Sequence, residues 1–152
     1  MRASSFQPLA LLLAAASQAA ALPQAVSGEE LAVVIPPACQ PIVPEPDLVT
    51  MYNRWFDFQQ AYLFNKNVVA TFGFFASNFT STWRNGVMSR EEYWAQDNVQ
   101  NWATVSSYPT DSTFRDNKGH VAYDLGVNRT GHAGDDFVWQ HGCIVSHQQT
   151  PN

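Results

Sequence analysis

Three side chains in the C-terminal third of the sequence, His147, Asp136 and Tyr123, are candidates for acid–base catalysis. His147 lies on the same face of its predicted strand as Val145. If that face is turned inward, its imidazole would lie in a pocket that contains water and could transfer protons near neutral pH. Asp136, at the mouth of a predicted strand, could be an acid or a base if it were removed from water. The alternatives are a surface or disulfide-adjacent histidine and a solvated turn carboxylate.

Two amide side chains fall among the apolar residues of predicted helices. On a helical wheel, Gln59 lies in the middle of the apolar arc of residues 47–64, and Asn98 lies inside the arc of a later helix. An uncharged amide buried without a hydrogen bond costs roughly 2 kcal/mol or more. Each amide therefore either satisfies a backbone group or binds a ligand oxygen.

Motifs for other chemistries are missing from the sequence. It contains no glycine-rich phosphate loop, no His-Glu-x-x-His and no Gly-x-Ser-x-Gly. His141, Cys143 and His147 have loosely metal-like spacing, but one hairpin supplies too few ligands and Cys143 is better assigned to a disulfide. We therefore expect neither a metal nor a cofactor.

Three helices and a set of strands must position these residues. Residues 47–64 have helical periodicity, with Asp47 as a plausible N-cap. Residues 68–76 predict a second short helix, and the capping box that starts at Ser89 opens a third helix running to about residue 105.

The remaining segments alternate with period two and predict strands. The predicted strands are residues 79–83, 111–116, 120–128, 136–140 and 143–148. In the clearest of them, Val121, Tyr123 and Leu125 share one face, while Asp124 shares the other. The order helix, helix, strand, helix and four strands predicts an α+β fold.

The N-terminus predicts a cleaved secretory signal over residues 1–21, because one positive charge precedes a short apolar run and small residues follow it. Residues 22–46 hold six of the nine prolines and predict an extended arm. The globular domain is expected over residues 47–152. The product should be secreted.

Because the protein is expected to be secreted, its two cysteines are expected to be oxidised. In an oxidising compartment, Cys39 and Cys143 are expected to form a disulfide. The sequons at Asn78 and Asn128 predict glycosylation in the same compartment.

Composition limits the classes of partner. The chain has 152 residues, of which 45% are hydrophobic and 14% charged, and its net charge is -5. Such apolar content excludes a disordered chain, and the absence of a basic stripe argues against nucleic acid and anionic membranes. One weakly acidic domain remains.

Residues 47–148 carry a resemblance to a known superfamily. The segments concerned are Phe75-Ala76-Ser77-Asn78, then Gly86 with Ser89-Arg90-Glu91, and Gly142-Cys143-Ile144-Val145-Ser146-His147. Their order resembles the nuclear transport factor 2-like (NTF2-like) superfamily, in particular its SnoaL-like branch. The resemblance implies a cone-shaped α+β barrel, in which a curved antiparallel sheet wraps three N-terminal helices around a pocket. Members include polyketide cyclases, ketosteroid isomerases, scytalone dehydratases and non-catalytic binding modules.

The known catalytic positions of these relatives transfer poorly. The three ketosteroid isomerase positions fall at Gln59, at Trp83 and near Asp135 or Asp136, so two of the three functional groups are lost. The paired histidines of scytalone dehydratases have no match, and Trp83 stands where one of their tyrosines would be. Fold alone does not choose the chemistry.

The resemblance implies an aromatic pocket with a few neutral hydrogen-bonding groups. The expected substrate-binding residues are Gln59, Tyr62, Trp83, Trp94 and Asn98. Such a pocket suits a small hydrophobic or polycyclic molecule, and it suits catalysis by shape and hydrogen bonding. Pairing through the outer face of the sheet as a homodimer is also implied.

Two functions remain open. The first is a secreted, cofactor-free enzyme that cyclises, dehydrates or isomerises a polyketide- or terpenoid-like metabolite. The second is a secreted, non-catalytic binding or effector protein. The enzyme predicts that Gln59, Asn98, Tyr123 and His147 converge on one enclosed cavity, whereas the binding protein predicts a filled core or a cavity without titratable groups.

Overall fold

A computed structural model of the protein describes residues 34–83 and 86–151. The expected signal sequence and the first part of the proline-rich arm lie outside these residues. Among the described residues, no helix is long and apolar enough to cross a membrane.

The first helix, α1, spans Leu48–Gln59 and continues as a π-helical turn over Gln60–Phe64. Asp47 is its N-cap, as predicted, and its carboxylate accepts a hydrogen bond from the Thr50 amide at 2.8 Å. The second helix, α2, spans only Val68–Phe72. The prediction that it continues to residue 76 is wrong, because Phe75 already pairs with Ile144 in the sheet.

The predicted third helix is broken into three pieces. These are α3 over Arg90–Trp94, α4 over Asp97–Gln100 and a 3₁₀ turn over Trp102–Thr104. The capping box at Ser89 is confirmed, since its side chain and that of Glu92 each bind the other residue's backbone amide. At the break, the Gln100 side chain donates to the Trp94 carbonyl at 2.6 Å, which satisfies an acceptor that a continuous helix would use.

Six strands form one curved sheet in the order β2-β1-β6-β5-β4-β3. The strands are β1 Phe75–Trp83, β2 Gly86–Ser89, β3 Ser107–Arg115, β4 Lys118–Leu125, β5 Gly131–Gln140 and β6 Cys143–Pro151. All neighbours are antiparallel except β1 and β6, which pair in parallel. The sheet is unclosed, with β2 and β3 at its edges, so the α+β cone is confirmed with one parallel pair and one short strand that the sequence did not predict.

The helix α1 packs into the concave face of the sheet. A Cβ atom on Gly119 would lie 2.3 Å from the Trp55 ring, so the strand must carry glycine where the helix crosses it. Phe58, which is fully buried, contacts Phe137 with ring centroids 4.7 Å apart and Trp139 at 5.9 Å. The Phe137 ring of this aromatic layer also lines the site described below.

The described part of the arm, residues 34–46, contains no helix, and its Ile42 amide donates a hydrogen bond to the His141 carbonyl at 2.8 Å. The Cys39–Cys143 disulfide is present, as predicted, with Cα atoms 5.8 Å apart. The Cys39 amide also donates to the Phe75 carbonyl at 2.9 Å. Because the bridge joins residues 104 apart in sequence, chain entropy alone makes it worth about 4–5 kcal/mol.

Candidate active site

A cavity of about 220 Å³ opens between the inner face of the sheet and the helices. Eight of the seventeen described residues that line it are aromatic. They are Tyr62, Phe72, Phe75, Trp83, Tyr93, Trp102, Tyr123 and Phe137. The polar groups are few and are concentrated on the strands β5 and β6.

Asp135 is the central polar group of the cavity. It lies on β5, is 1% exposed, and accepts three hydrogen bonds from side chains. Its Oδ2 accepts from the Tyr62 and Tyr123 hydroxyls, both at 2.6 Å. Its Oδ1 lies 2.9 Å from Nε2 of His147. Short bonds of this kind to an ionised oxygen are strong ones.

His147 is held on both sides by its neighbours in the sheet. Its Nδ1 lies 2.8 Å from the hydroxyl oxygen of Ser81, which is fully buried on the paired strand β1. Its ring lies between Phe137 and Tyr93, with centroids 5.1 and 5.4 Å away. Both ring nitrogens therefore have partners, and the orientation of the imidazole is fixed.

The environment separates the pKa values of these groups. Burial raises the pKa of Asp135, but the hydrogen bond and charge of His147, with the two phenol donors, outweigh burial and lower it. Burial and the Asp135 charge raise the pKa values of Tyr62 and Tyr123. At neutral pH the site therefore holds a carboxylate beside two protonated phenols, an arrangement that can accept and return protons.

The cavity brings together five of the residues predicted from the sequence. They are Tyr62, Trp83, Asn98, Tyr123 and His147. Asn98 lies on α4 and is exposed, so it stands at the mouth of the cavity. Trp94 is not part of the wall; its ring contacts Phe72 edge-on at 4.7 Å. The catalytic and binding roles of all these residues stay predictions.

Asp136, predicted to face the site, points to the outer face of the sheet. Its side chain is 48% exposed and lies 2.7 Å from Nδ1 of His120. The strand predicted from the sequence begins at residue 136, whereas β5 begins at Gly131. Residue 135, two positions before the buried Phe137, therefore faces inward. The alternation of residue 135 with Phe137 and Trp139 is the signal in the sequence that could have identified Asp135, but the prediction chose Asp136.

The expectation that Gln59 faces the cavity is also wrong. Its Oε1 accepts a hydrogen bond from Ser112 at 2.5 Å, and its Nε2 donates to the Trp55 carbonyl at 3.5 Å. The amide thus joins α1 to the edge strand β3. Gln149, which was not predicted from the sequence, lines the cavity beside Asp135 in the register of β5 and β6.

Within residues 34–83 and 86–151, no group of three or more histidine, cysteine, aspartate or glutamate side chains is arranged to hold a metal ion. The polar side chains of the cavity wall are suited instead to proton transfer and hydrogen bonding.

Comparison with known proteins identifies the fold. No protein-family profile and no curated protein sequence matches the chain. Solved structures do match it. An NTF2-like protein of unknown function from Cytophaga hutchinsonii is 18% identical with a TM-score of 0.51, and the match covers 67% of this chain and 89% of that one.

Two further structures carry functional names. AclR from Streptomyces galilaeus, named as a candidate hydroxylase, is 8% identical with a TM-score of 0.53 over 70% of this chain and 91% of that one. A candidate SnoaL-like polyketide cyclase from Mesorhizobium loti is 13% identical with a TM-score of 0.52 over 66% and 97%. The resemblance stated from the sequence is confirmed at the level of the fold, which is NTF2-like.

Proposed function

We propose that this NTF2-like chain is a secreted enzyme that uses its own side chains for acid–base chemistry on a small, uncharged, oxygenated ring molecule. The reaction class is dehydration, isomerisation or cyclisation of a polyketide- or terpenoid-like compound. The observation that carries the proposal is the buried Asp135 carboxylate, with the Tyr62 and Tyr123 hydroxyls on one of its oxygens, in the wall of an aromatic cavity.

The cost of burying this carboxylate supports a functional role. An ionised group taken out of water is costly even when it is paired, and an apolar residue of similar size would often be more stable. Asp135 is nonetheless almost fully buried, and its pKa is displaced along with those of its phenol neighbours. Displaced pKa values inside a cavity are typical of groups that do chemistry.

The hydrogen-bond pattern provides a relay in both directions. As a proton leaves the substrate for the oxygen of Tyr62, the phenol proton moves to Asp135. The second phenol, Tyr123, then gives a proton to a leaving hydroxyl or to another carbon and recovers one from Asp135. Substrate loses water or is isomerised, and the three side chains return to their starting state. A ligand that draws one phenol away from Asp135 also makes the carboxylate a stronger base, because a stabilising donor is lost.

The cavity limits the size of the substrate. An engineered protein cavity of about 150 Å³ holds one benzene ring. At about 220 Å³, this cavity suits a molecule of one or two rings, smaller than the polycyclic ligands that the sequence analysis allowed.

The secreted location has its own support. The Cys39–Cys143 disulfide suits an oxidising compartment. Both sequon asparagines, Asn78 and Asn128, are exposed and accessible to glycosylation. The N-terminal residues have the pattern of a secretory signal. Homodimer formation through the outer sheet face stays a prediction.

Solvent-proton exchange tests the acid–base activity without knowledge of the natural substrate. We would incubate β-tetralone, a bicyclic ketone with acidic α-hydrogens, in D₂O with the protein and follow deuterium incorporation by mass spectrometry. The wild type and Asp136→Asn should accelerate exchange, and Asp135→Asn should not. Near-ultraviolet circular dichroism at the assay temperature is the control that the Asp135→Asn chain is folded. Equal rates for Asp135→Asn and the wild type would contradict the proposal.

A non-catalytic binding protein is the second candidate. It is favoured by one observation: within the described residues, Asp135 and both nitrogens of His147 already have protein partners, as a purely structural network would. That function predicts that β-tetralone binds without any gain in exchange rate.

A further inference from the structure

Trp83 presents an unpartnered hydrogen-bond donor at the cavity wall. Its indole Nε1 is buried, and none of the described residues accepts a hydrogen bond from it. Buried donors are nearly always paired, so such an exception calls for an explanation. Trp139 has an unpaired buried Nε1 too, but it lies in the core under α1. Only the Trp83 ring lines the cavity, where a ligand can supply the acceptor.

Strand register places this donor in a row with the catalytic candidate. Thr82 pairs with Gln148 between β1 and β6, so Trp83 lies beside Gln149. Gln149 in turn pairs with Asp135 on β5. All three residues line the cavity. Neighbouring strands are about 4.8 Å apart, so the backbones of Trp83 and Asp135 are about 10 Å apart. The side-chain amide of Gln149 lies on the strand between them.

We propose that this row selects the substrate: the cavity binds a ring compound that carries an uncharged acceptor oxygen, such as a carbonyl, opposite the group whose proton is transferred. The inference rests on the proposed function and specifies its substrate class. Trp83 donates to the acceptor oxygen, Gln149 supports it from the next strand, and the hydroxyl or acidic C–H of the ligand lies against Asp135 and its phenols. Trp83 is a specificity-determining residue, and it takes no part in proton transfer.

The chemistry of Trp83, Gln149 and Asp135 also indicates which ligands the cavity excludes. A carboxylate or phosphate on the ligand would be placed in a low-dielectric cavity that already holds the Asp135 charge, and among the described residues none that lines the cavity is a lysine or arginine. A pure hydrocarbon would leave the indole N–H unpaired in the complex. A neutral carbonyl satisfies the donor without adding a second charge.

A matched pair of ligands and one variant test the inference. Para-hydroxyacetophenone and para-ethylphenol have the same ring and phenol, and only the first has the carbonyl. We would measure their dissociation constants by titration calorimetry with the wild type and with Trp83→Phe, which keeps a ring and removes the N–H. We expect the variant to lose about tenfold in affinity for the ketone and less than twofold for para-ethylphenol. Gln149→Leu should produce a smaller loss with the same selectivity.

The outcomes separate this inference from the proposed function. An equal loss for both ligands, or no loss for the ketone, would overturn the role of Trp83 and leave the exchange experiment at Asp135 unaffected. A selective loss without any catalysed exchange would support the donor role and contradict the enzyme. If neither ligand bound the wild type, both the inference and the proposed use of the cavity would be overturned.

Discussion

Two neighbouring aspartates on β5, Asp135 and Asp136, each pair with a histidine on an adjacent strand, but on opposite faces of the sheet. On the inner face, the side chains of Asp135 and His147 are 2% and 1% exposed. On the outer face, those of Asp136 and His120 are 48% and 36% exposed. The same two residue types therefore form one pair in a low-dielectric cavity and one pair in water.

Burial decides what each pair can do. Solvent screens the outer pair, and such surface ion pairs contribute about 0–1 kcal/mol. The inner pair is hardly screened, so each added donor changes the pKa of Asp135 and each lost partner leaves a polar group unpaired. Losing a partner should therefore cost far more stability in the inner pair than in the outer pair.

The largest expected difference is in stability. Asp135→Asn replaces an anion that accepts three hydrogen bonds by an amide that cannot accept all of them, and we expect a loss of about 3–5 kcal/mol in the free energy of unfolding. Asp136→Asn should lose less than about 1 kcal/mol. Urea unfolding at neutral pH measures both losses. Similar losses for the two variants would contradict the claim that burial distinguishes the inner pair from the outer pair.

Removing one phenol donor tests how much the buried charge of Asp135 strengthens a hydrogen bond. Tyr123→Phe deletes a hydrogen bond to the buried carboxylate, and we expect a loss of about 1.5–3 kcal/mol. Tyr52→Phe is the matched control, because the Tyr52 hydroxyl donates to a neutral carbonyl, that of Phe114, from an exposed position. It should lose about 1 kcal/mol or less. Equal losses by urea unfolding would show that the charge of Asp135 adds nothing.

Acid unfolding tests the charge of Asp135 directly through stability. Its folded-state pKa is lowered, so its contribution is fully present above the unfolded-state value near 4 and is lost as the pH falls through the folded-state value. In that window the wild type should lose up to about 1.4 kcal/mol per pH unit more than Asp135→Asn. Urea unfolding at several pH values measures the free energy of unfolding of both proteins. If it fell equally with pH in the wild type and in Asp135→Asn, the lowered pKa of Asp135 would be contradicted.

The smallest of these effects concerns the serine behind His147. Ser81→Ala leaves a buried ring nitrogen without its partner, and we expect a loss of about 1 kcal/mol. Ser112→Ala, at an exposed bond to Gln59, should change stability by less than about 0.5 kcal/mol. The thermal midpoints of the two variants, compared with the wild type, measure the difference.

Local patterns predicted much of the fold. The N-cap Asp47 and the capping box at Ser89 follow from short-range chemistry that survives in any tertiary context. The disulfide was predicted because the sequence has two cysteines and an expected secretory signal. The inner face of β4 followed from its alternation, since Val121 and Tyr123 are buried as predicted.

The site was harder to predict because it depends on where each strand begins and on what packs beside each helix. Asp135 and Asp136 are adjacent in β5 and therefore point to opposite faces of the sheet. The predicted strand began at residue 136 instead of 131 and so left out the inward-facing Asp135.

A helical wheel placed Gln59 in the middle of an apolar arc, but Tyr52 and Phe56 of that arc are exposed, so Gln59 lies near the margin of the buried face of α1. The wheel could not show that the edge strand β3, with Ser112, would cover Gln59.

The most direct test of the account is the pKa of Asp135 itself. Carbon-13 NMR of the aspartate carboxyl groups, with the Asp135 signal assigned by comparison with Asp135→Asn, would follow its titration in the folded protein. The account predicts a midpoint below the ordinary value of 3.8, so that the cavity holds a carboxylate throughout the neutral range. A midpoint near neutrality would mean that burial outweighs the donors, and the relay through the two phenols would have no anion to accept its proton.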